Sequence, residues 1–271
     1  MQTIRCLSVL TAMLLSPSFA CAEVFPSKAV KIIVPYPPSG ASDFLARLIA
    51  EKLQLKWGSP VVVENRPGAS GNIGLDVVAK SVADGYTLVM TNNVVAINVA
   101  LFPNLTFDVT RDFAPLGLIG STPMAVVVNP GVQINSLSEL TQHAKRQPGK
   151  LNFGSCGLGT PQHLAIELYR AMASVEMWHV PYNGCAQAVT DVIGGQIQVL
   201  AATTIQVGPQ ILAGNLRGLA LTSTRRSATL PDVPTFQEAG IDGYSLDIWF
   251  GLMAPAQTPP TIAAQLYQSI R

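Results

Sequence analysis

The 271-residue chain has the composition of a globular protein with a sizeable core, because 48% of its residues are hydrophobic and only 12% are charged. The formal net charge is +1, and no basic block or interleaving of basic and aromatic residues occurs, so we expect no nucleic-acid partner. The length suits one large domain or two modest ones.

The first 22 residues have the layout of a secretory signal peptide. Arg5 precedes an apolar stretch that is too short to span a membrane, and Ala20-Cys21-Ala22 fits the small-residue cleavage rule. We expect the mature chain to begin at Glu23, which removes Arg5 and brings the formal net charge to zero. A lipid-anchored N-terminus at Cys21 is the less favoured alternative, because Ser18 stands where such a signal usually has a branched apolar residue.

Two of the four cysteines, Cys156 and Cys185, lie beyond this signal segment. An even pair in an exported protein favours a disulfide, since exposed free thiols are disfavoured in an oxidising compartment. We therefore predict a bridge between them, with two buried free thiols as the alternative.

Short apolar runs alternate with amphipathic runs along the chain. The predicted strands are "AVKIIVPY", "PVVVE", "YTLVMT", "MAVVVN", "LNFGS", "IQVLAAT" and "LRGLALT". The predicted helices are "SDFLARLIAEKLQLKW" with Ser42 as N-cap, "GNIGLDVVAKSV", "SLSELTQHAKR", "PQHLAIELYRAMA" and "AQAVTDVIGG". Strands that are apolar on both faces need cover on both sides, so the pattern predicts an α/β fold with mostly parallel sheets and helices on both faces.

Two stretches break this alternation, "LFPNLTFDVTRDFAPLGLIG" and "PDVPTFQEAGIDGYSLDIWFGLMAPAQTPP". Both are predicted to be irregular segments in which the chain crosses between two lobes and later crosses back. The expected first lobe comprises residues 23–122 and 248–271, and the second lobe comprises residues 123–247. A ligand would then lie in the cleft between them.

Two glycine-rich turns, "VPYPPSGASD" (34–43) and "GSCGLGTPQH" (154–163), each follow a strand and open a helix. A helix N-terminus offers unpaired N–H groups and a partial positive charge, so the pair predicts an anion site to which Ser39, Ser155 and Thr160 could add donors. Neither turn has a phosphate-loop lysine or a dinucleotide fingerprint, and Asp43 would repel a phosphate. A carboxylate or amide ligand fits better; two ordinary tight turns are the structural alternative.

A secreted hydrolase is the rival hypothesis. Ser155 or Cys156 with His163 and Asp191 contain the parts of a catalytic triad. However, "GSCG" is not a nucleophile elbow, and a bridged Cys156 cannot attack a substrate. No cluster has metal-ligand spacing, so we expect neither a metal nor a cofactor. His143 and His179 receive no role.

Ordered motifs from Phe25 onward resemble those of the tripartite tricarboxylate transporter solute-binding proteins, also called Bug receptors. The motifs are "VPYPPSGASD", "VVVENRPGASGNIG", "ADGYTLVM", "TRDFAPLGLIG", "GSCGLGTPQHLA", "HVPYNGCAQAVTDVIGGQIQV", "LPDVPTFQEAG" and "WFGLMAPAQTPP". The resemblance implies a two-lobed periplasmic binding protein of type II-like fold, joined by crossing strands and expected to be monomeric. It implies capture of a small organic acid, or an amide relative, for membrane permease subunits, without catalysis or a cofactor.

The resemblance also implies a set of ligand-binding residues. The first turn would contribute Tyr36, Ser39, Gly40 and Asp43. The second would contribute Ser155, Gly159, Thr160 and His163, with Asp191 lining the cleft or holding water. The distal end of the ligand would meet Thr91, Asn92 and Asn93, and less strongly Thr203 and Thr204.

This chain departs from the family pattern at several positions. Ser39 replaces a common glycine, and "NGCAQA" supplies Cys185. Both Cys156 and Cys185 fall in segments that the family places at the cleft, which favours the bridge. Family members usually continue past "TPPTIAAQLYQSIR" with further helices. We therefore expect either a truncated or frameshifted product or an incomplete first lobe, and an incomplete lobe would expose apolar surface.

Overall fold

The computed structural model describes residues 25–271, so the predicted signal peptide lies outside the described residues. Strands and helices alternate through most of this length. Their bounds are β1 Val30–Val34, α1 Ala41–Trp57, β2 Val61–Asn65, α2 Asn72–Ala79, β3 Thr87–Asn92, α3 Val94–Leu101, β4 Phe113–Val128, α4 Leu137–Arg146, β5 Asn152–Ser155, α5 Pro161–Ala173, β6 Trp178–Pro181, α6 Cys185–Ile193, β7 Val199–Thr203, α7 Thr204–Leu212, β8 Arg217–Leu221, β9 Asp247–Pro255 and α8 Pro260–Ile270.

The strands are hydrogen-bonded in the order β2-β1-β3-β9-β4-β7-β5-β6, and β8 also pairs with β4. Pairing is parallel between β1 and β2, β1 and β3, β5 and β6, and β5 and β7. Every antiparallel pair among the named strands of the described chain involves β4 or β9. The predicted α/β class is therefore confirmed, with parallel strands on either side of two long strands that run against them.

Strand β4 belongs to two groups of strands. From Phe113 to Pro123 it pairs with β9, whereas from Met124 to Val128 it pairs with β7 and β8. We call β2, β1, β3, β9 and the first part of β4 the first half-sheet. The second half-sheet comprises the rest of β4 with β7, β8, β5 and β6. The change of partner follows Pro123, which has no N–H to donate to a neighbouring strand.

The two stretches predicted to be irregular contain the first half of β4, up to Gly120, and the whole of β9, so that prediction is wrong for these strand portions; the later part of β4 was predicted as the strand "MAVVVN". Proline and glycine within β4 suggested a loop. The register of β4 against β9 shifts between Pro115 and Gly117 and again between Leu118 and Gly120. These irregularities accommodate residues that weaken a regular strand, so long-range pairing outweighs the local signal. Helix α3 was also missed.

Helix α1 begins after Gly40 rather than after Ser42. The N–H of Phe44 donates to the carbonyl of Gly40, which closes the first turn, and Gly40 has the extended backbone of an N-cap. Ser42 is the second helical residue, so its prediction as the N-cap is wrong. The N-cap of α1 therefore has no side chain with which to satisfy the first N–H groups.

The largest apolar core cluster joins both half-sheets, since it includes Val30 and Leu88 together with Val126 and Phe153. All four residues are 0% exposed. Continuous packing of this kind fixes the positions from which the glycine-rich turns leave the sheet. Within residues 25–271, no helix has both the length and the apolar character required to cross a bilayer.

Candidate functional site

A cavity of about 220 Å³ lies where the two glycine-rich turns meet. The first half-sheet contributes Tyr36, Pro37 and the start of α1, together with Asn92 and Phe250. Asn92 of β3 is the register partner of Phe250 in β9, so these two wall residues lie side by side. Of the described side chains that line this cavity, none carries a formal charge.

The second half-sheet contributes the beginnings of α5 and α6. Thr160, Pro161 and Gln162 line the cavity at α5, and Gly184 and Cys185 line it at α6. Together with α1, three helix N-termini therefore border one space. Because helical N–H groups point toward the N-terminus, this arrangement concentrates partial positive charge without a basic side chain.

The three N-termini differ in how many donors they leave free. Gly40 of α1 and Gly184 of α6 are N-caps that make no side-chain cap bond. Thr160 does cap α5, because its Oγ1 accepts the N–H of His163. Pro161 also begins α5 without an N–H. The N-termini of α1 and α6 are therefore the stronger candidates for holding an anion.

The rims of the site touch in three places. Ser70 Oγ donates to the carbonyl of Leu158 at 2.6 Å. A β-carbon added to Gly159 would lie 2.6 Å from Leu101 Cδ1, so a larger residue at this position would require the Leu101 side chain to move. The third place is Gly184, where an added β-carbon would lie 3.0 Å from Pro37 Cγ. A second cavity of about 550 Å³, near Ser70, shares several wall residues with the first.

The first turn is fixed by a buried polar cluster around Asp43. Arg47 donates to both carboxylate oxygens of Asp43, at 2.9 and 3.1 Å, and Asn65 and the Ser39 N–H donate as well. Burial alone would raise the pKa of Asp43, but these hydrogen bonds hold it below its ordinary value. Asp43 therefore organises the turn and does not line the cavity.

Tyr36 and Asn92 form a second fixed pair in the first half-sheet. The Tyr36 hydroxyl donates to Asn92 Oδ1 at 3.2 Å, and the same oxygen accepts the N–H of Val94. Burial raises the pKa of Tyr36, so its hydroxyl stays protonated. Because Asn92 Oδ1 accepts both of these hydrogen bonds, the amide nitrogen of Asn92 takes part in neither.

The second turn rests on a stack of aromatic rings. His179 of β6 stacks between Phe153 and His163, with ring centroids 4.9 and 4.1 Å apart. His179 Nε2 lies 2.7 Å from Ser155 Oγ, and His163 Nδ1 accepts the N–H of Gly159 at 3.2 Å. The rings of His179 and His163 therefore fix the second turn at Ser155 and at Gly159. His179 was given no role in the sequence analysis, yet it is a central member of this stack.

Both histidines are held in the neutral form. Burial lowers the pKa of His163, although the Glu167 carboxylate opposes the shift. Burial, with the neighbouring His163 and Arg170, lowers the pKa of His179 to about 4. A neutral His163 can keep accepting the Gly159 N–H, which a doubly protonated ring cannot do.

Cys156 and Cys185 form the predicted disulfide, with their Cα atoms 4.4 Å apart. Cys156 lies in the second turn and Cys185 is the first residue of α6. Both line the cavity. The bridge therefore ties the start of α6 to the second turn at the wall of the site.

Four of the predicted ligand-binding residues line the cavity: Tyr36, Gly40, Asn92 and Thr160. The others lie around it without lining it: Ser39, Asp43, Thr91, Asn93, Ser155, Gly159, His163, Asp191, Thr203 and Thr204. Most of this second group makes bonds that hold the walls in place.

Several of these surrounding residues have specific partners. Asn93 binds strand β9 twice, through the carbonyl of Asp247 and the N–H of Trp249. Asp191 accepts the Tyr182 hydroxyl at 2.8 Å, and with burial as the larger cause this raises the pKa of Tyr182 to about 12. Asn93 and Asp191 thus hold neighbouring protein groups in place around the cavity.

The remaining three belong to β3, β7 and α7. Thr91 is fully buried, and its hydroxyl has no hydrogen-bond partner among the described residues. It follows Met90 and precedes Asn92, so it faces the opposite side of β3 from the cavity. Thr203 donates to Gln206 Oε1 at 3.0 Å, whereas Thr204 and Thr122 share a hydroxyl hydrogen bond.

Sequence reasoning missed several wall residues: Ser42, Gln162, Asn183, Gln187, Gln206, Ile248 and Phe250. For Ser42 and Gln162 a signal existed, because both fall in the first turn of a helix that follows a glycine-rich turn. No local pattern marks Gln206, Ile248 or Phe250. They reach the cavity only because β9 and α7 return to it from distant parts of the chain.

The hydrolase hypothesis finds no support in this geometry. Cys156 is bridged, and Ser155 is 0% exposed. The nearest imidazole nitrogen to Ser155 Oγ belongs to His179, not to His163 as that hypothesis required. Among residues 25–271 no group of three or more His, Cys, Asp or Glu side chains is placed to hold a metal ion.

Known proteins are similar to this chain in both sequence and fold. The family model described as "Tripartite tricarboxylate transporter family receptor" matches residues 45–271. Protein BugT of Bordetella pertussis is 38% identical over 251 residues, which cover 92% of this chain and 77% of BugT.

Two solved structures illustrate the similarity of fold. The R. palustris protein Rpa4515 with adipate has a TM-score of 0.88 and 34% identity, covering 91% of this chain and 83% of its own. MatC from Rhodopseudomonas palustris with bound malate has a TM-score of 0.85 and 29% identity, covering 91% and 84%. The chain therefore belongs to the tripartite tricarboxylate transporter receptors, a family of solute-binding proteins.

Proposed function

We propose that this protein captures a small carboxylate in the cavity between the two glycine-rich turns. One observation carries the proposal: the uncapped N-termini of α1 and α6, which come from different half-sheets, border the same cavity. Each offers N–H groups with no partner in the helix, and a carboxylate can accept from both. A single acid group would thus connect the two halves of the molecule.

The character of the cavity supports an organic acid as the ligand. Helix N-termini favour a negative charge, and no acidic side chain lines the space to repel it. The related structures named above hold adipate and malate, which are both organic acids. An amide relative of an acid remains within the proposed class, because Gln162, Gln187 and Gln206 can meet an uncharged polar group.

Capture is proposed to proceed by closure of two lobes about a hinge. The first lobe comprises residues 23–122 and 248–271, and the second comprises residues 123–247. The change of β4 pairing after Pro123, opposite Asp247 of β9, supports this division. The rim contact between Ser70 and Leu158 would then form on closure.

The closed form is proposed to deliver its ligand to permease subunits of a tripartite tricarboxylate-type transporter in the periplasm. Membership of the receptor family supports this assignment. The protein is proposed to act as a monomer without catalysing a reaction. The disulfide that lines the cavity supports an oxidising compartment.

Isothermal titration with a panel of small carboxylates tests the proposal. The sharpest variant is Ala41→Pro, because Ala41 is the first residue of α1 and Gly40 before it has the extended backbone that a following proline prefers. Proline there keeps the helix but removes one cavity-lining N–H. Ala41→Ser is the matched control, since it retains the N–H.

We expect Ala41→Pro to weaken carboxylate binding at least about tenfold, the loss of one charge-assisted hydrogen bond, with little change in Tm. Ala41→Ser should bind nearly as the parent does. Equal affinity in both variants, or a parent protein that binds no carboxylate in the panel, would contradict the proposal.

A further inference from the structure

We infer that the Cys156–Cys185 disulfide is a site of thiol exchange, and that opening it weakens the capture of carboxylates. The exchange partner is a small thiol, for which glutathione is the probe. Attack on Cys156 releases Cys185 as a thiolate at the start of α6, where the acid group of the ligand would bind. The exchange itself is independent of the proposed function, whereas its effect on capture rests on that function.

Both cysteines are accessible from the site. Cys156 and Cys185 are half-buried and line the cavity between the glycine-rich turns. Cys156 also lines the adjoining cavity near Ser70, whereas Cys185 does not. Exchange requires a thiolate to approach one sulfur, so exposed disulfides are the ones that exchange. An incoming thiol therefore has access to Cys156 from two cavities.

The start of α6 stabilises one of the two sulfurs as a thiolate. Cys185 is the first residue of this helix, which has nine residues and an N-cap, Gly184, that makes no side-chain cap bond. The first N–H groups of the helix have no partner within it, and a helix N-terminus favours the thiolate form of a cysteine. Cys156 lies in the second turn, before α5 begins, and has no such position.

The N–H groups beside Cys156 are already bonded within the second turn. The N–H of Gly157 donates to Ser155 Oγ at 3.3 Å, and the N–H of Thr160 donates to the carbonyl of Gly157 at 3.3 Å. A thiolate on Cys156 would find these donors occupied. Because the more stable thiolate is the better leaving group, exchange places the mixed disulfide on Cys156 and releases Cys185.

The exchange conserves atoms and electrons. The incoming thiolate forms a bond to the Sγ of Cys156 while the Sγ–Sγ bond breaks, and the electron pair of that bond stays on the Sγ of Cys185. This step consumes no other oxidant or reductant. A second small thiolate then attacks the small-thiol sulfur of the mixed disulfide, a symmetrical small disulfide leaves, and the Sγ of Cys156 keeps the electron pair. Two small thiols have then reduced the bridge by two electrons.

The released thiolate competes with the ligand for the same donors. A carboxylate is proposed to accept from the N–H groups at the starts of α1 and α6, and Cys185 lines that cavity. A thiolate there accepts from the α6 donors and also repels a second negative charge. Opening the bridge therefore weakens capture by more than the loss of the crosslink alone. Because such coupling is reciprocal, a bound carboxylate should protect the bridge from exchange.

Trapping the exchange product tests the direction of attack. The folded parent is treated with reduced glutathione near neutral pH, quenched with N-ethylmaleimide and digested for mass spectrometry. We expect glutathione on Cys156 and N-ethylmaleimide on Cys185 at least about tenfold more often than the reverse arrangement. A carboxylate that saturates the parent should slow the exchange at least about tenfold.

Three variants that all lack the bridge separate the thiolate from the loss of the crosslink. Cys156→Ser keeps the thiol at the start of α6, Cys185→Ser keeps the thiol in the second turn, and the double serine variant keeps neither. Near neutral pH, iodoacetamide should alkylate Cys185 at least about tenfold faster than Cys156 in the respective folded variants. In titration calorimetry, Cys156→Ser should bind carboxylates at least about tenfold more weakly than the double serine variant.

The outcomes separate the exchange site from the receptor. Glutathione found equally on both cysteines, no exchange in the folded parent, or equal alkylation of the two thiols overturns the exchange site. Equal carboxylate affinity in Cys156→Ser and the double serine variant overturns the competition and leaves the receptor intact. A parent that binds no carboxylate overturns the proposed function and the competition with it, while the trapped product still decides on the exchange site. Where the variants fail to fold, exchange in the parent with and without carboxylate decides both points.

Discussion

Gly184 and Pro37 meet across the cavity so closely that a β-carbon on Gly184 would lie 3.0 Å from Pro37 Cγ. This contact joins the start of α6 to the first glycine-rich turn. A Gly184→Ala variant should therefore resist the closed arrangement, and we expect its carboxylate affinity to fall about tenfold in titration calorimetry. Shortening the opposing side chain in Gly184→Ala/Pro37→Ala should restore part of the loss.

A control separates this contact from backbone strain, because Gly184 also has a φ of +154°. Gly58 at the end of α1 has a φ of +66°, but a β-carbon there would have no neighbour within 4 Å. Gly58→Ala should lower Tm and leave affinity unchanged. If Pro37→Ala gives no rescue, the steric explanation is wrong.

Loss of the disulfide should weaken both the fold and the site. Cys156 and Cys185 are 29 residues apart in sequence, so opening the bridge should lower the free energy of unfolding by about 3–4 kcal/mol on the chain-entropy model. Urea unfolding of Cys156→Ser/Cys185→Ser measures this. We also expect weaker carboxylate binding, because α6 loses its attachment to the second turn. A double variant with parent stability and parent affinity would refute the structural role.

The buried histidine stack should make stability depend on pH. Burial lowers the pKa of His163 and lowers that of His179 to about 4, whereas an unfolded histidine titrates near 6.5. Between those values the unfolded chain binds more protons than the folded chain. Stability is therefore fully present above about pH 6.5 and is lost as pH falls toward 4.

Urea unfolding at several pH values measures this loss in the parent and in His179→Gln. The groups that face the stack are Ser155, Glu167 and Arg170, and glutamine can still bond to Ser155. We expect a flatter profile between pH 4 and 6.5 in His179→Gln. His143→Gln, which changes a histidine of α4 outside the stack, should keep the parent slope. Identical slopes in all three proteins would contradict this account.

Ser39 has a left-handed backbone with a φ of 69°, which costs about 1 kcal/mol for a residue with a side chain. Ser39→Gly should therefore raise the free energy of unfolding by about 0.5–1 kcal/mol. The Ser39 N–H that donates to Asp43 is a backbone group and survives the change. Ser42→Gly is the opposing control, because glycine within α1 should destabilise by a similar amount.

A Ser39→Gly variant that is less stable than the parent would show that backbone strain at Ser39 does not limit stability. Thermal unfolding of the ligand-free proteins is the appropriate measurement, because Ser42 lines the cavity and its replacement could also alter binding. Unchanged stability in Ser39→Gly would mean that the turn relaxes around serine without cost.

The parts of the fold that depend on local pattern were predictable. Helix α1, the strands before each glycine-rich turn and the Cys156–Cys185 pair follow from periodicity, turn chemistry and compartment. Asp43 makes a contact that the spacing of charged residues along a helix predicts. Arg47 lies four residues later on the same helix face, so their ion pair was predictable from spacing, and it explains why Asp43 is turned away from the cavity.

Other features depend on contacts that spacing does not reveal. The sequence of β9 alone predicts an irregular segment, because its strand conformation depends on pairing with β3 and β4. This pairing places Ile248 and Phe250 in the wall of the cavity. His179 bonds to Ser155 across 24 residues because β5 and β6 are neighbours in the sheet. No periodicity encodes that register, so the support of the second turn could be recognised only in the folded chain.

The disulfide crosslinks only one rim of the cavity, since Cys156 and Cys185 both attach to elements of the second half-sheet. The described rim contacts to the other side are the hydrogen bond from Ser70 and the approaches of Leu101 and Pro37 to glycines. None of these is covalent. Under the proposed closure mechanism, solute leaves when the rims part and the disulfide-linked wall moves as one piece, so release needs no thiol chemistry.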